Sequence, residues 1–270
     1  MKVGMAPRLL AALTVGVLAT GSVWAKATAD EVAKLGKSLN CTGGEKAGTA
    51  SGVPEFTGKW LGVPAGVKYT PHTGQHPVDP YANEKPLFTI TAENLSQYAE
   101  RLTEGQKAMF ARYPQTFRIP VYTGHRDFRF TDATCASAKK NAQDAVVNSD
   151  GLGVTGAVKG ALPFPIPKNG LELAFNNLLP SRAYTEETLR DNGIVFADKS
   201  IVYGRADNKA LSSVQAVDVA GQPLVGAMSQ TINITKLPER EKGGVSVIAE
   251  PLDFGKDKRL GWSYDPGTRR

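Results

Sequence analysis

Between residues 224 and 252 apolar and polar positions alternate. Met228, Ile232 and Ile234 are interleaved with Ser229, Thr231, Asn233 and Thr235, and Val245 and Val247 flank Ser246 ahead of Glu250. Successive side chains of a strand point to opposite faces, so 224–237 and 244–252 are predicted to be strands with one apolar and one polar side. Strands are also predicted over 194–203, carrying Phe196, Ile201, Val202 and Tyr203, and over 213–219. Turn signals at 204–208, at Gly221-Gln222-Pro223 and at 239–244 separate them, which predicts an antiparallel meander. Trp262-Ser263-Tyr264-Asp265-Pro266 reads as one more strand and turn close to Arg270. A sheet ending there leaves an open edge, and the expectation is a chain truncated at its C-terminus.

Upstream the period lengthens. Leu171, Ala174, Phe175, Leu178 and Leu179 form an apolar stripe at helical spacing, after Asn169 as cap with Glu172 three positions on. Such a short helix must dock to persist. Leu95, Tyr98, Ala99 and Leu102 predict a helix over 91–102. Thr103-Glu104-Gly105-Gln106 is a capping box that starts a second helix over 104–112. Further helices are predicted over 30–39 and 132–147, the latter carrying Cys135 near its start. From 43 to 86 the chain is broken by Gly and Pro throughout, and so long an irregular stretch is expected to lie across a surface supplied by the rest.

The first residues change the picture from fold to compartment. Lys2 and Arg8 precede the short apolar run Leu9–Val23, and Val23-Trp24-Ala25 places small residues at the −3 and −1 positions of a cleavage site. Residues 1–25 are therefore predicted to be a signal peptide, and the remainder a soluble periplasmic protein without a membrane span. Removing Lys2 and Arg8 lowers the net charge from +6 to +4, spread along the chain, which gives no footprint for nucleic acid. In an oxidising compartment Cys41 and Cys135 are read as a disulfide, the alternative being two buried free thiols. On the chain-entropy account such a bond restricts the unfolded state by about 4–5 kcal/mol.

Candidate chemistry is sparse. Gly151-Leu152-Gly153-Val154-Thr155-Gly156 matches GxGxxG, but a dinucleotide site needs that loop after a strand and before a helix, and here a helix precedes it and a Pro-rich run follows. His72 and His76 are four apart near Asp79, yet Pro71, Gly74 and Pro77 deny them the helix that would align two metal-binding rings. His125, in Gly-His-Arg-Asp, is read as a surface or packing residue. There is no GxSxG, CxxC, Walker loop or HExxH. No catalytic residue, metal or cofactor is assigned, and the chain is not expected to be an enzyme.

Three segments carry a resemblance: GEKAG at 44–48, HPVDPYANEKPLFTITAENLSQYAERLTEGQKAMFARYP at 76–114, and LPFPIPKNGLELAFNNLL at 162–179. They resemble an uncharacterised proteobacterial family catalogued as domain of unknown function 1329 and described as outer-membrane lipoprotein-sorting-protein-like. The resemblance implies a fold similar to that of the lipoprotein carriers LolA and LolB. The expected class is then α+β: a curved antiparallel sheet, an incomplete half-barrel, with helices on its concave face and a long irregular N-terminal wrap. The wrap and helices occupy 26–160, and the capping helix and sheet 161–270, as one domain. The expected function is binding or carriage of a lipid or other hydrophobic molecule. Candidate lining residues are Phe175, Leu178, Leu179, Phe196, Met228, Ile232, Ile234, Val245 and Val247, each of which ordinary core packing would also explain. The alternative is an adaptor in an envelope transport assembly, and the third reading a periplasmic hydrolase.

Overall fold

The computed structural model describes residues 26–70, 73–76, 78–179, 184–215 and 220–270. The signal-peptide segment and His72 lie outside them. In chain order the elements are α1 (Ala29–Val32), β1 (Trp60–Leu61), β2 (Phe88–Ile90), α2 (Glu104–Arg112), β3 (Ile119–Val121), β4 (Phe128–Arg129), α3 (Asp132–Asp144), β5 (Val146–Val147), β6 (Val154–Thr155) and α4 (Gly170–Leu178). The long strands follow: β7 (Thr185–Val195), β8 (Ile201–Ser212), β9 (Ala227–Leu237), β10 (Val245–Pro251) and β11 (Leu260–Tyr264). The last five make one antiparallel sheet, ordered β11-β10-β9-β8-β7. The chain is thus α+β, with few helices and an open five-stranded meander rather than a closed barrel.

All four α-helix starts among the described residues are set by side chains, α1 by a capping box between Thr28 and Glu31. Thr103 accepts from the N–H of Gln106 at 3.2 Å, and the Gln106 side chain accepts from the Thr103 N–H at 2.9 Å, closing the capping box. Thr131 caps α3. Asn169 caps α4, while the Glu172 carboxylate accepts from the Lys168 N–H at 2.6 Å and from the Asn169 side-chain amide at 3.0 Å.

Elsewhere local chemistry departs from the sequence expectations. Residues 91–102 form two 3-10 turns (Leu95–Gln97 and Ala99–Arg101) instead of an α-helix. The Asn94 side chain accepts from the Thr91 N–H and donates to the Thr89 carbonyl, a local alternative to helical bonding. The helix expected over 30–39 stops at Val32, and Gly36, at φ +83°, turns the chain away. The strand expected over 194–203 is the tip of a hairpin. The Phe196 N–H bonds the Ser200 carbonyl, with Lys199 at φ +70° and the Asp198 carboxylate holding the Ser200 N–H. The turn expected at 204–208 lies inside β8. Residues 213–215 form a 3-10 turn, not a strand, and the remainder of the strand expected over 213–219 lies outside the described residues.

One core joins both halves of the chain. Ala145, Val147, Val154 and Ala157 pack with Phe164, Phe175, Leu179, Val214, Leu224, Met228 and Leu252. Val214, Leu224, Met228 and Leu252 all sit where β8, β9 and β10 begin or end, at one end of the sheet. The Pro-rich segment is clipped there. The Asn176 side chain accepts from the Phe164 N–H at 3.0 Å and donates to its carbonyl at 2.6 Å, imitating a strand partner. Buried Asn141 does the same for Val158 and adds a bond to the Leu162 carbonyl. The wrap then closes over this segment. Gly43 lies so near Pro165 that a Cβ there would stand 1.7 Å from the Pro165 carbonyl oxygen. Lys168 pairs with Glu31, and the Cys41–Cys135 disulfide, with Cα atoms 5.1 Å apart, ties the wrap to α3.

Candidate functional site

The register assigns every sheet residue to a face. One face carries Glu186, Thr188, Asn208, Ala210, Thr231, Asn233, Ser246, Ile248 and Ser263, and is mostly polar away from the β7–β8 tip. Asn208 donates to Asn233 across it at 2.6 Å. The other face is graded. One row across the strands reads Glu187, Lys209, Ile232, Val247, Trp262, and the next reads Leu189, Asp207, Ile234, Val245, Tyr264. Charged groups therefore stand on β7 and β8, and an apolar band crosses β9, β10 and β11. The band is open to solvent at its edge, where Trp262 is 59% exposed and Tyr264 45%.

The charged side is walled by the wrap. Tyr69, Gly74, Gln75 and His76 border with β7, β8 and β9 an open cavity of about 1170 Å³. Its floor includes Leu211, Gln230, Ile232 and Val247, and the pair Glu187–Lys209, joined at 2.9 Å. The Lys209 ammonium is held above the usual lysine range by its hydrogen bond to Glu187, then by the charges of Glu187 and Asp207.

The nine candidate lining residues separate in space. Ile232, Ile234, Val245 and Val247 come together on the apolar band, Ile232 and Val247 bordering the cavity. Phe175, Leu179 and Met228 are buried in the core. Leu178 is exposed on α4, and Phe196 is exposed at the hairpin tip beyond the cavity. α4 does not cover the apolar band, as was expected of a helix on the concave side. Its Phe175 and Leu179 are already buried against residues at the strand ends, and Tyr69, Gly74, Gln75 and His76 approach the sheet instead.

A second polar cluster was not foreseen. His125 Nε2 lies 2.8 Å from Glu84, and its ring stacks on Tyr81 at 3.5 Å between centroids. The Tyr81 hydroxyl donates to Asp127, which also accepts from Thr57. Partial desolvation, then the bond to Asp127, pushes the Tyr81 hydroxyl up to about 12, and the Thr57 and Tyr81 bonds hold the Asp127 carboxyl low. Every polar partner here serves to join the wrap to β4. The one signal in the sequence was the spacing of His125 and Asp127 around Arg126, whose guanidinium also holds the Pro54 carbonyl. The GxGxxG match is the turn of the β5–β6 hairpin, fastened by Asn148 to Asp253 at 2.7 Å, and is no dinucleotide loop. Among the described residues no group of three or more His, Cys, Asp or Glu is placed to hold a metal ion, and no helix is long and apolar enough to cross a membrane.

The molecule is thus a sheet protein with a graded face and a disulfide-tied wrap. Residues 89–270 match the family described as "Protein of unknown function (DUF1329)", and the chain belongs to that family. It is similar to "Uncharacterized protein PA3922" of Pseudomonas aeruginosa, with 37% identity over 268 residues that cover 96% of this chain and 56% of that protein. The chain therefore spans little more than half the length of this relative. No solved structure matches.

Proposed function

We propose that this protein binds an amphiphilic, lipid-like molecule along the apolar band of its sheet, as an exported periplasmic protein and without chemistry. The observation that carries the reading is the band itself. Ile232, Ile234, Val245, Val247, Trp262 and Tyr264 share one face of three adjacent strands and run into a cavity of about 1170 Å³. That volume lies somewhat above the about 300–1,000 Å³ of small-molecule pockets. A contiguous apolar patch left open to water marks a place where something docks. Each methylene that a guest buries there contributes about 0.8 kcal/mol, so an acyl chain is held without any covalent or catalytic step. In this reading the sheet is the curved half-barrel of a carrier like LolA and LolB, with Tyr69, Gly74, Gln75 and His76 in the place expected of a helix. The n-region, apolar run and cleavage site in residues 1–25, together with the disulfide, support export.

The test is extraction and mass spectrometry of the protein purified from periplasm, beside Trp262→Ser. A co-purifying lipid that is depleted in the variant is the expected result. An unchanged lipid yield from both, or none from either, sinks carriage on this band.

A second reading, an adaptor in an envelope assembly, has its own observation. At the β7–β8 tip Ile194 and Val202 point to one face and Val195, Ile201 and Tyr203 to the other, all exposed. Strands apolar on both faces suit cover on both sides. Loss of one envelope partner on Val195→Ser and Tyr203→Ser, with lipid content unchanged, would favour it.

A further inference from the structure

Resting on the binding reading above, we infer that the guest is an amphiphile with an uncharged polar head: the head lies in the cavity over β7 and β8, and the tail runs along the band toward Trp262. The inference comes from how the charges on the graded face are already spent. Glu187 and Lys209 are direct cross-strand partners, with their charged groups 2.9 Å apart. Asp207, in the next row, faces Lys236 at 3.9 Å. The charged groups on this face thus cancel in pairs, and no single charge is left over to meet an ionic head.

Glu186 and His76 also border the cavity, but the register turns Glu186 to the opposite face, where the Thr188 hydroxyl donates to it. Tyr69, Gln75, Thr185 and Gln230 border the same cavity with hydroxyl and amide groups. Such groups donate and accept without favouring either sign of charge. An anionic head beside Lys209 must compete with Glu187, and a cationic head beside Glu187 must compete with Lys209. A glyceride or glycosyl head competes with neither. Discrimination of this kind arises as much from what repels the wrong guest as from what holds the right one.

The test uses three probes with the same twelve-carbon chain, titrated into the full protein below their aggregation limits at one fixed pH. They are monolauroylglycerol, lauroyl lysophosphatidylglycerol and dodecyltrimethylammonium. Monolauroylglycerol is expected to bind about fivefold tighter than either ionic probe or better. Glu187→Gln, which leaves Lys209 unpaired, should move the preference toward the anionic probe, and Lys209→Gln toward the cationic one, each by about two- to fivefold, the range of an exposed ion pair. Both positions are on the sheet surface, so circular dichroism of the variants checks that the fold is retained. An ionic probe binding the wild-type protein as tightly as the neutral one, or variants that keep the wild-type ranking, would overturn the head-group assignment while leaving carriage standing. Failure of all three probes to bind would overturn both.

Discussion

The two ends of the sheet are made of similar residues and meet different fates. Met228, at the start of β9, is buried against Phe175, Leu179 and Leu252. Four to six residues on, Ile232 and Ile234 share its face on the same strand but border a cavity and an open band. Strand pattern alone decides which side chains share a face. What the loops and helices bring to that face decides whether it becomes core or surface. Here the Pro-rich segment and α4, clipped together by Asn176, reach only the strand ends.

The contrast can be broken by mutation. Phe175→Ala is expected to cost about 3–5 kcal/mol in urea unfolding, as a large-to-small change in a packed core. Trp262→Ala should stay within about 0.5 kcal/mol, as a surface change. Equal costs would mean that the band is as filled as the core. Replacing Cys41 and Cys135 by Ser is expected to cost about 2–5 kcal/mol. It should also abolish the sensitivity of stability to reductant and leave monolauroylglycerol affinity unchanged, since the bond ties the wrap to α3. Loss of affinity would show instead that the wrap shapes the cavity through that bond. The smallest effect concerns pH. Hydrogen bonds from Lys168, then Thr28, hold the Glu31 carboxyl at about 2, against an ordinary value of 4.5. A carboxyl lowered on folding contributes stability above its unfolded value, and that contribution fades as pH falls from 4.5 toward 2. Glu31→Gln should therefore flatten the fall of Tm between pH 5 and pH 2, and Trp262→Ala should not.

Much of this architecture is legible in the sequence where one residue type has one local use. Thr103 with Gln106, and Asn169 with Glu172, mark helix starts that form as read. The alternation over 224–252 finds β9 and β10 to within a few residues. The reading fails where partners far along the chain decide. Thr185–Val195 has too little apolar alternation to look like a strand, yet it pairs along its whole length with β8. Asp191–Arg205 and Glu187–Lys209 face each other across that ladder, and opposite charges so placed support a strand. The same holds for the site. Ile232, Ile234, Val245 and Val247 are found by alternation. Tyr69, Gln75 and His76 are not, because their approach to the sheet is fixed by the fold of the wrap, and the pair Glu187–Lys209 is not, because it depends on the register of β7 on β8. Phe175, Leu179 and Met228 were candidates for the wrong reason: apolar periodicity marks a residue for burial without naming what buries it.

The close approach of Gly43 to the Pro165 carbonyl sets a dependency between distant parts of the chain. The groove that receives the first residues of the wrap is built from a stretch made much later, after α3 and the β5–β6 hairpin. A polypeptide cut before that stretch has nowhere to lay its beginning. The front half should thus be impossible to express as a stable piece, whereas the seat, once formed, accepts only a residue with no side chain at position 43.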